Sequence, residues 1–128
     1  MDIFNAIKEA LCDILDIDGD DITPETYIIR DLDAESIDLL ELGVVLNSKF
    51  NININDDEIF LGSMRMHIED LSVKGGKADS FLKERYPYLT LQRINEILND
   101  LESGPVLKIK DIMSYVSSKL YIIIRCAG

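Results

Sequence analysis

Apolar residues recur at helical spacing near both ends of the chain. Over residues 2–16 they occupy i, i+3, i+4 and i+7 positions, which predicts an amphipathic helix with one face in a core. The same spacing predicts a helix over about 36–50 and a last helix over about 109–121. Asp56 is expected to cap a short helix over 57–61, because its side chain can accept hydrogen bonds from first-turn amides. These stretches predict an all-α fold.

A long polar loop over residues 17–35 separates the first two helices. It contains Gly19, Pro24 and several aspartates, whose side chains compete with helical backbone hydrogen bonds. Apolar residues occur within it, and we expect them to hold the loop against the helices: Ile22, Tyr27, Ile28, Ile29 and Leu32.

A separate block follows over residues 62–107. Two helices are predicted in it, over 79–86 and 90–102, with Pro87 between them. Residues 64–73 are compatible with either a helix or an extended segment, and Gly75-Gly76 divides the block. The conformation of the C-terminal residues 120–128 also stays open.

Length and charge limit the classes of function. A chain of 128 residues, 47% of them hydrophobic, is long enough for one compact domain. The net charge of −11 is uneven, because residues 1–62 contain three basic and sixteen acidic residues, whereas 63–128 contain ten and eight. This charge repels phosphate backbones and anionic headgroups, so neither nucleic acid nor a membrane is an expected partner. The acidic half favours basic protein partners.

The chain lacks the features of a targeting segment. Its first residues carry no basic region before an apolar block, and the late apolar stretch over 120–124 is far shorter than a membrane span. Cys12 and Cys126 could pair, but two cysteines without secretory features favour reduced thiols, with Cys12 on a buried helix face. We therefore predict a cytoplasmic protein.

Ser36 lies at the predicted start of the second helix, within the sequence LDAESIDLLEL. Serine is favoured as a helix cap, because its hydroxyl accepts a hydrogen bond from an amide two or three residues later. A reciprocal capping box would need Glu or Gln at position 39, where this chain has Leu. The residue pattern alone thus favours a simple, incomplete cap.

The wider pattern around Ser36 resembles the acyl carrier protein family. The Asp-Ser-Leu motif of that family appears here as Glu35-Ser36-Ile37, at the start of what resembles the family's second helix. The long acidic loop, the order of helices and the acidity also match. The resemblance covers residues 1–61 and 106–122, with its main segments at 22–26, 32–34, 35–42, 50–58 and 108–116.

The resemblance implies a four-helix bundle and a function. It implies that Ser36 carries a covalent 4′-phosphopantetheine arm, which a phosphopantetheinyl transferase takes from coenzyme A, and that acyl groups are held on the arm as thioesters. Acyl-loading and acyl-transfer enzymes would be the other partners, and Glu35, Ile37, Asp38 and Glu41 would contact them. The chain itself would be a monomeric carrier, not an enzyme.

Three departures from the family pattern point to a specialised member. Glu35 and Ile37 replace the motif's aspartate and leucine, and Asn47-Ser48-Lys49 stands where the family commonly has acids. A helical insertion over about 62–105 separates the two parts of the single carrier domain, residues 1–128. It either packs on the bundle, reshapes the acyl pocket or supplies a basic partner surface with Lys74, Lys77, Lys83, Arg85 and Arg93. We expect a specialised lipid, lipopolysaccharide or polyketide pathway rather than general fatty acid biosynthesis.

Other chemistry is not expected. The aspartates at 16, 18 and 20 lack the glycine and glutamate that a calcium loop would need at its later positions, and His67 has no cysteine at metal-ligand spacing. We therefore predict no metal site and no catalytic residue. The alternative function is an acidic, non-enzymatic helical interaction module in which Ser36 is only a helix cap.

Overall fold

The computed structural model describes residues 2–74 and 77–127, except for the side chains of 72–74 and 122–127. This part of the chain contains helices and a single isolated antiparallel bridge, between Tyr27 and Lys108, but no strand. The all-α prediction is therefore confirmed. Gly75 and Gly76 lie outside the described residues. The helices are α1 (Ile3–Leu15), α2 (Ser36–Phe50), α3 (Asp56–Ile59), α4 (Met64–Lys74), α5 (Ala78–Arg85), α6 (Leu91–Asp100) and α7 (Ile109–Ala127).

The helix ends follow local capping chemistry. The Asp2 side chain accepts from the Asn5 amide at 3.3 Å and caps α1. The cap of α3 is Asn55, whose side-chain oxygen accepts from the Glu58 amide at 3.1 Å. The prediction that Asp56 caps this helix was wrong by one residue, because asparagine is as good a cap as aspartate and comes first.

The bundle core forms where α1 packs against α2 and α7, and where α3 packs against α7. The apolar spacing of α1 and α7 produces these contacts, since each turns one face inward. The shared core includes Ile7, Leu11, Leu42, Leu46, Ile112 and Val116. The bundle architecture expected from the sequence is therefore present.

The ambiguous segment and the C-terminus are both helical. Residues 64–73 form most of α4, and α7 continues through Tyr121 to Ala127. In the long loop, Ile22 and Ile28 are buried as expected, and the other apolar loop residues are half-buried. Cys12 is a half-buried free thiol, whereas the side chain of Cys126 lies outside the described part. In the described part of the chain, no helix is both long enough and apolar enough to cross a membrane.

A buried ion pair joins α6 to α7. The Arg93 guanidinium donates to both carboxylate oxygens of Asp111, at 2.7 and 2.8 Å, and to the Val106 carbonyl at 2.8 Å. Arg93 and Asp111 are 6% and 1% exposed, so each charge depends on the other for solvation. Arg93 is thus no part of a basic surface, and the sequence prediction that grouped it with the lysines of the insertion was wrong.

A second charged cluster joins the long loop to the end of α6. Asp100 accepts from the Tyr27 hydroxyl at 2.5 Å and from the Arg30 guanidinium at 3.1 Å. The Tyr27 hydrogen bond, followed by the Arg30 contact, holds the pKa of Asp100 below its ordinary value. Arg30 also lies 4.1 Å from the centre of the Tyr27 ring, at cation–π distance. Helix α6 is therefore held at two points, through Arg93 to α7 and through Asp100 to the long loop.

Candidate functional site

The backbone is fixed immediately before α2. The Asp33 amide donates to the Ile29 carbonyl at 3.0 Å, and the Ala34 amide donates to the Ile28 carbonyl at 3.3 Å. Asp33 takes a left-handed conformation with φ of 58°, which aspartate tolerates better than most residues. Ala34 is buried, whereas the next two residues, Glu35 and Ser36, are exposed. The buried Ala34 and these hydrogen bonds therefore fix the position at which α2 begins.

Ser36 is the first residue of α2, and Glu35 is the cap residue. The Glu35 amide donates to the Asp38 carboxylate at 2.8 Å, which is the reciprocal bond of a capping box. The prediction that Ser36 is the cap was therefore wrong by one residue, and the box is completed by Asp38, three residues after Glu35, and not at position 39. The Ser36 side chain is exposed and is free of the capping role.

The start of α2 fits a phosphate ester on Ser36. The first helical backbone bond joins the Leu39 amide to the Glu35 carbonyl, so the amides of Ser36 and Ile37 precede the hydrogen-bond ladder. These amides lie at the positive end of the helix dipole, where negative charge is stabilised. An exposed hydroxyl at this position can be reached by an enzyme and can bear a charged substituent.

Helix α2 has two apolar faces. Leu42, Leu46 and Phe50 are buried in the bundle. On the other side, Ile37, Leu40 and Val44 are 65%, 54% and 71% exposed and follow one another at i, i+3 and i+7. Exposed apolar residues in a continuous stripe are typical of protein-binding surfaces. We call Ile37, Leu40 and Val44 the outer stripe of α2.

Acidic residues flank the outer stripe. Glu35 and Glu41 are exposed, and Asp38 is half-buried against the Glu35 amide. The structure thus brings the four predicted partner-binding residues to one end of α2, beside Ser36. The sequence analysis did not identify Leu40 and Val44 as surface residues. Their spacing from Ile37 nevertheless places them on a different face of the helix from Leu42 and Leu46. A second apolar face on one helix was the feature of the sequence that could have revealed them.

An apolar cavity of about 540 Å³ opens next to the start of α2. Leu39, which lines it, comes three residues after Ser36, or about 4.5 Å further along the helix axis. Phe60 and Met64 line it from the α3–α4 junction, and Leu101 and Leu107 line it from the segment between α6 and α7. The charged lining residues, Arg65 and Glu102, are both exposed.

The single histidine has a structural role in this arrangement. His67 Nε2 accepts a hydrogen bond from Arg85 at 3.2 Å, and its ring packs against Phe81. Among the described residues, no three His, Cys, Asp or Glu side chains are grouped closely enough to hold a metal ion.

The family model and the similar proteins that match this chain point to the same family. Residues 5–63 match the family model of the phosphopantetheine attachment site. The chain is 45% identical over 56 residues to the acyl carrier protein of a Picosynechococcus strain, covering 44% of this chain and 69% of that protein. It is 40% identical over 58 residues to the acyl carrier protein of Helicobacter hepaticus, covering 45% and 76%. A search of solved structures gave no match.

The match to the Helicobacter pylori J99 acyl carrier protein extends further along the relative. It covers 95% of that protein and 55% of this chain, at 35% identity over 74 residues. Nearly the whole relative is therefore accounted for by little more than half of this chain. The matched family model includes the start of α2, where Ser36 is exposed. By its sequence matches and its helical fold, the chain belongs to the acyl carrier protein family.

Proposed function

We propose that Ser36 is the attachment residue for 4′-phosphopantetheine in this chain. As a member of its family the chain is a carrier with this covalent group, not a catalyst. When bound, the group supplies a terminal thiol that holds an acyl group as a thioester. The exposure of Ser36 at the first position of α2 is the observation that carries the proposal.

The attachment is a phosphoryl-group transfer that a separate transferase must catalyse. The Ser36 hydroxyl oxygen forms a bond to the phosphorus next to the pantetheine of coenzyme A. The diphosphate bond breaks, the hydroxyl proton is lost, and adenosine 3′,5′-bisphosphate leaves. Ser36 contributes an accessible oxygen, and the free amides of α2 lie where they can stabilise the phosphate's charge.

The outer stripe of α2 and its flanking carboxylates form the proposed docking surface. Ile37, Leu40 and Val44 provide apolar contact area, while Glu35, Asp38 and Glu41 attract basic residues. The proposed users of this surface are the phosphopantetheinyl transferase and the acyl-loading and acyl-transfer enzymes. Since this surface begins beside Ser36 and continues along α2, an enzyme bound there would meet the attached group.

A specialised lipid, lipopolysaccharide or polyketide pathway is the proposed setting. Asn47, Ser48 and Lys49 are exposed at the far end of α2, so this end presents less negative charge than the Ser36 end. We also propose that residues 62–105 are an insertion into a single carrier domain formed by 1–61 and 106–122, and that the protein is a cytoplasmic monomer. Contact of α7 with α1 and α3 supports this division.

Mass measurement after enzymatic modification tests the attachment residue. The purified chain is incubated with coenzyme A and a broad-specificity phosphopantetheinyl transferase, beside Ser36→Ala and Ser48→Ala variants. Ser48 is a matched control, because it is an exposed serine on the same helix. Wild type and Ser48→Ala are expected to gain one phosphopantetheine, and Ser36→Ala none. No gain in wild type with several transferases, or an equal gain in Ser36→Ala, would reject the proposal.

A further inference from the structure

The stretch of the long loop just before the cap of α2 is closed on itself by hydrogen bonds. We call residues 27–34 the pre-α2 segment. The amide and the carboxylate of Asp31 both bond to the backbone of Tyr27, at 3.0 and 2.9 Å. The amides of the last two residues of the segment donate to carbonyls of the same segment, at 3.0 and 3.3 Å. Because Ser36 follows so closely in the chain, a shift of this segment also shifts the Ser36 hydroxyl.

The chain that leads into α7 holds the pre-α2 segment by its backbone. The Ile28 amide donates to the Leu107 carbonyl at 3.1 Å, and the Ile109 amide donates to the Thr26 carbonyl at 3.1 Å. These bonds join main-chain groups only. The side chains of the segment can therefore make their contacts elsewhere.

The end of α6 holds two of these side chains. The Asp100 carboxylate accepts from the Tyr27 hydroxyl at 2.5 Å and from the Arg30 guanidinium at 3.1 Å. The same guanidinium donates to the carbonyls of Asp100 and Gly104, both at 3.1 Å. The side chains of Arg30 and Asp100 are only 19% and 22% exposed. Hydrogen bonds between charged groups are stronger when they are partly shielded from water, so this contact can fix the position of the segment.

The end of α6 is itself held in place by other contacts. Arg93, on the same helix as Asp100, is buried in its ion pair with Asp111 of α7. Just after the helix, the Gly104 carbonyl also accepts from Arg65 of α4. Asp100 is therefore carried by a part of the fold that does not depend on the pre-α2 segment for its own position. Residues on such supported elements position a site more precisely than residues on loops.

Asp100 also lies outside the part of the chain that matches the family model, residues 5–63. It belongs to the region over 62–105 that we propose as an insertion. The contact therefore links the proposed insertion to the chain that leads to Ser36.

We propose that Asp100 is a positioning residue for the attachment reaction, because through Tyr27 and Arg30 it fixes the pre-α2 segment and hence the place of the Ser36 hydroxyl. This inference rests on the proposed attachment at Ser36. Asp100 itself takes no part in bond formation. It gives the proposed insertion a role in presenting the attachment residue to the transferase.

Positioning and docking depend on different parts of α2. The proposed docking surface continues along the helix, where the buried side chains of Leu42 and Leu46 hold α2 to the bundle. The Ser36 hydroxyl is instead at the first residue of the helix, next to the pre-α2 segment. Loss of the Asp100 contacts should therefore displace the hydroxyl within the bound complex without weakening the binding of the transferase.

Steady-state kinetics of the attachment reaction test this role. The purified chain is the varied substrate of a broad-specificity phosphopantetheinyl transferase at saturating coenzyme A, and intact mass measures the product. Asp100→Ala should lower kcat about tenfold and leave the KM for the chain within about twofold, since small displacements of a reacting atom are costly. Asp100→Asn keeps the shape and one acceptor oxygen, so its kcat should lie between those of Asp100→Ala and wild type.

Two variants of the same region are matched controls. Glu102→Ala removes an exposed carboxylate close to Asp100, and in the described part of the chain neither Tyr27 nor Arg30 donates to it. Ile94→Val loosens the buried face of α6 and leaves the partners of Asp100 unchanged. Both controls should keep the wild-type kcat. A loss in either control as large as in Asp100→Ala would show that charge or a general loosening of α6 sets the rate, and would overturn the proposal.

Amide hydrogen exchange followed by NMR tests the positioning without a transferase. In Asp100→Ala, the amides of Asp33 and Ala34 should exchange faster by about tenfold or more, because the segment opens locally, while amides in the middle of α2 keep their rates. Unchanged exchange at Asp33 and Ala34 would overturn this inference alone, as would an unchanged kcat or a loss confined to KM. No mass gain in wild type with several transferases would overturn both this inference and the attachment at Ser36.

Discussion

Helices α2 and α6 depart in opposite directions from the usual burial of apolar residues and exposure of charged ones. Helix α2 leaves three apolar residues uncovered, at Ile37, Leu40 and Val44. Helix α6 buries a charged residue, Arg93, against Asp111. The outer stripe of α2 is exposed, so it contributes little to the stability of the fold and is accessible to other proteins. The buried ion pair of α6 and α7 instead stabilises the fold and is not accessible.

The largest effect is expected from breaking the buried ion pair. Arg93→Met leaves the Asp111 carboxylate buried without its partner, which should lower the free energy of unfolding by about 3–5 kcal/mol. Urea denaturation followed by circular dichroism measures this. A loss below about 1 kcal/mol would show that water replaces the guanidinium and that α6 is not locked to α7.

The double variant Arg93→Met with Asp111→Leu tests whether the loss of stability comes from the unpaired buried charge. Removing both charges should recover part of the lost stability, because no buried charge remains unpaired. Recovery should be incomplete, since Arg93 also donates to the Val106 carbonyl and Asp111 also accepts from the Lys108 amide. Additive losses in the double-variant cycle would contradict a direct coupling between the two residues.

A smaller loss is expected at Gly104, in the segment between α6 and α7. Its φ of 125° and ψ of −160° lie in a region that essentially only glycine occupies. Gly104→Ala should therefore cost about 1–3 kcal/mol in unfolding free energy. Gly62→Ala is a useful comparison, because its backbone needs no positive φ, although its added methyl would displace the Asp57 carboxylate. An unchanged stability in Gly104→Ala would mean that residues 101–105 readily change conformation.

On α2, the expected change is in docking and not in folding. Val44→Ser should alter the unfolding free energy by less than about 0.5 kcal/mol, because Val44 is largely exposed. It should reduce the rate of modification by the transferase at low substrate concentration. Leu46→Ala, on the buried face of the same helix, should instead cost about 2–5 kcal/mol in stability. If Val44→Ser destabilised the chain as much, the outer stripe would be part of the core.

The smallest effect concerns the pH dependence of stability. Hydrogen bonds from Lys110, and then from Lys108, lower the pKa of Glu25 from 4.5 to about 2. The contribution of this group is complete above pH 4.5 and is lost as the pH falls from about 4.5 to about 2. The stability difference between wild type and Glu25→Gln should shrink over this interval. The difference should be small, because the Glu25 side chain is 61% exposed. A difference that stayed constant down to pH 2 would mean that the lysines do not hold the charge.

The parts of the fold that depend on local pattern could be predicted from the sequence. The predicted bounds of α2 agree with Ser36–Phe50, because its apolar positions and the polar break after it act within a few residues. The cap at Glu35 could not be predicted, since glutamate is not among the favoured cap residues. The placement of Asp38 beside the Glu35 amide is what completes the box.

Features made by distant residues could not be predicted in this way. Arg93 and Asp111 are 18 positions apart, and their pairing depends on how α6 lies against α7. The cavity likewise requires Leu39, Met64 and Leu101 to meet from three separate segments. The outer stripe is an intermediate case. Its spacing was visible, but which apolar face of α2 is buried depends on the position of α1.

Site-localised mass spectrometry of the modified chain tests the central claim most directly. Trypsin should release residues 31–49 as one fragment, which contains just two serines, Ser36 and Ser48. After incubation with coenzyme A and a transferase, fragment ions should place the phosphopantetheine on Ser36. An arm on Ser48, or on any fragment other than 31–49, would contradict the assignment.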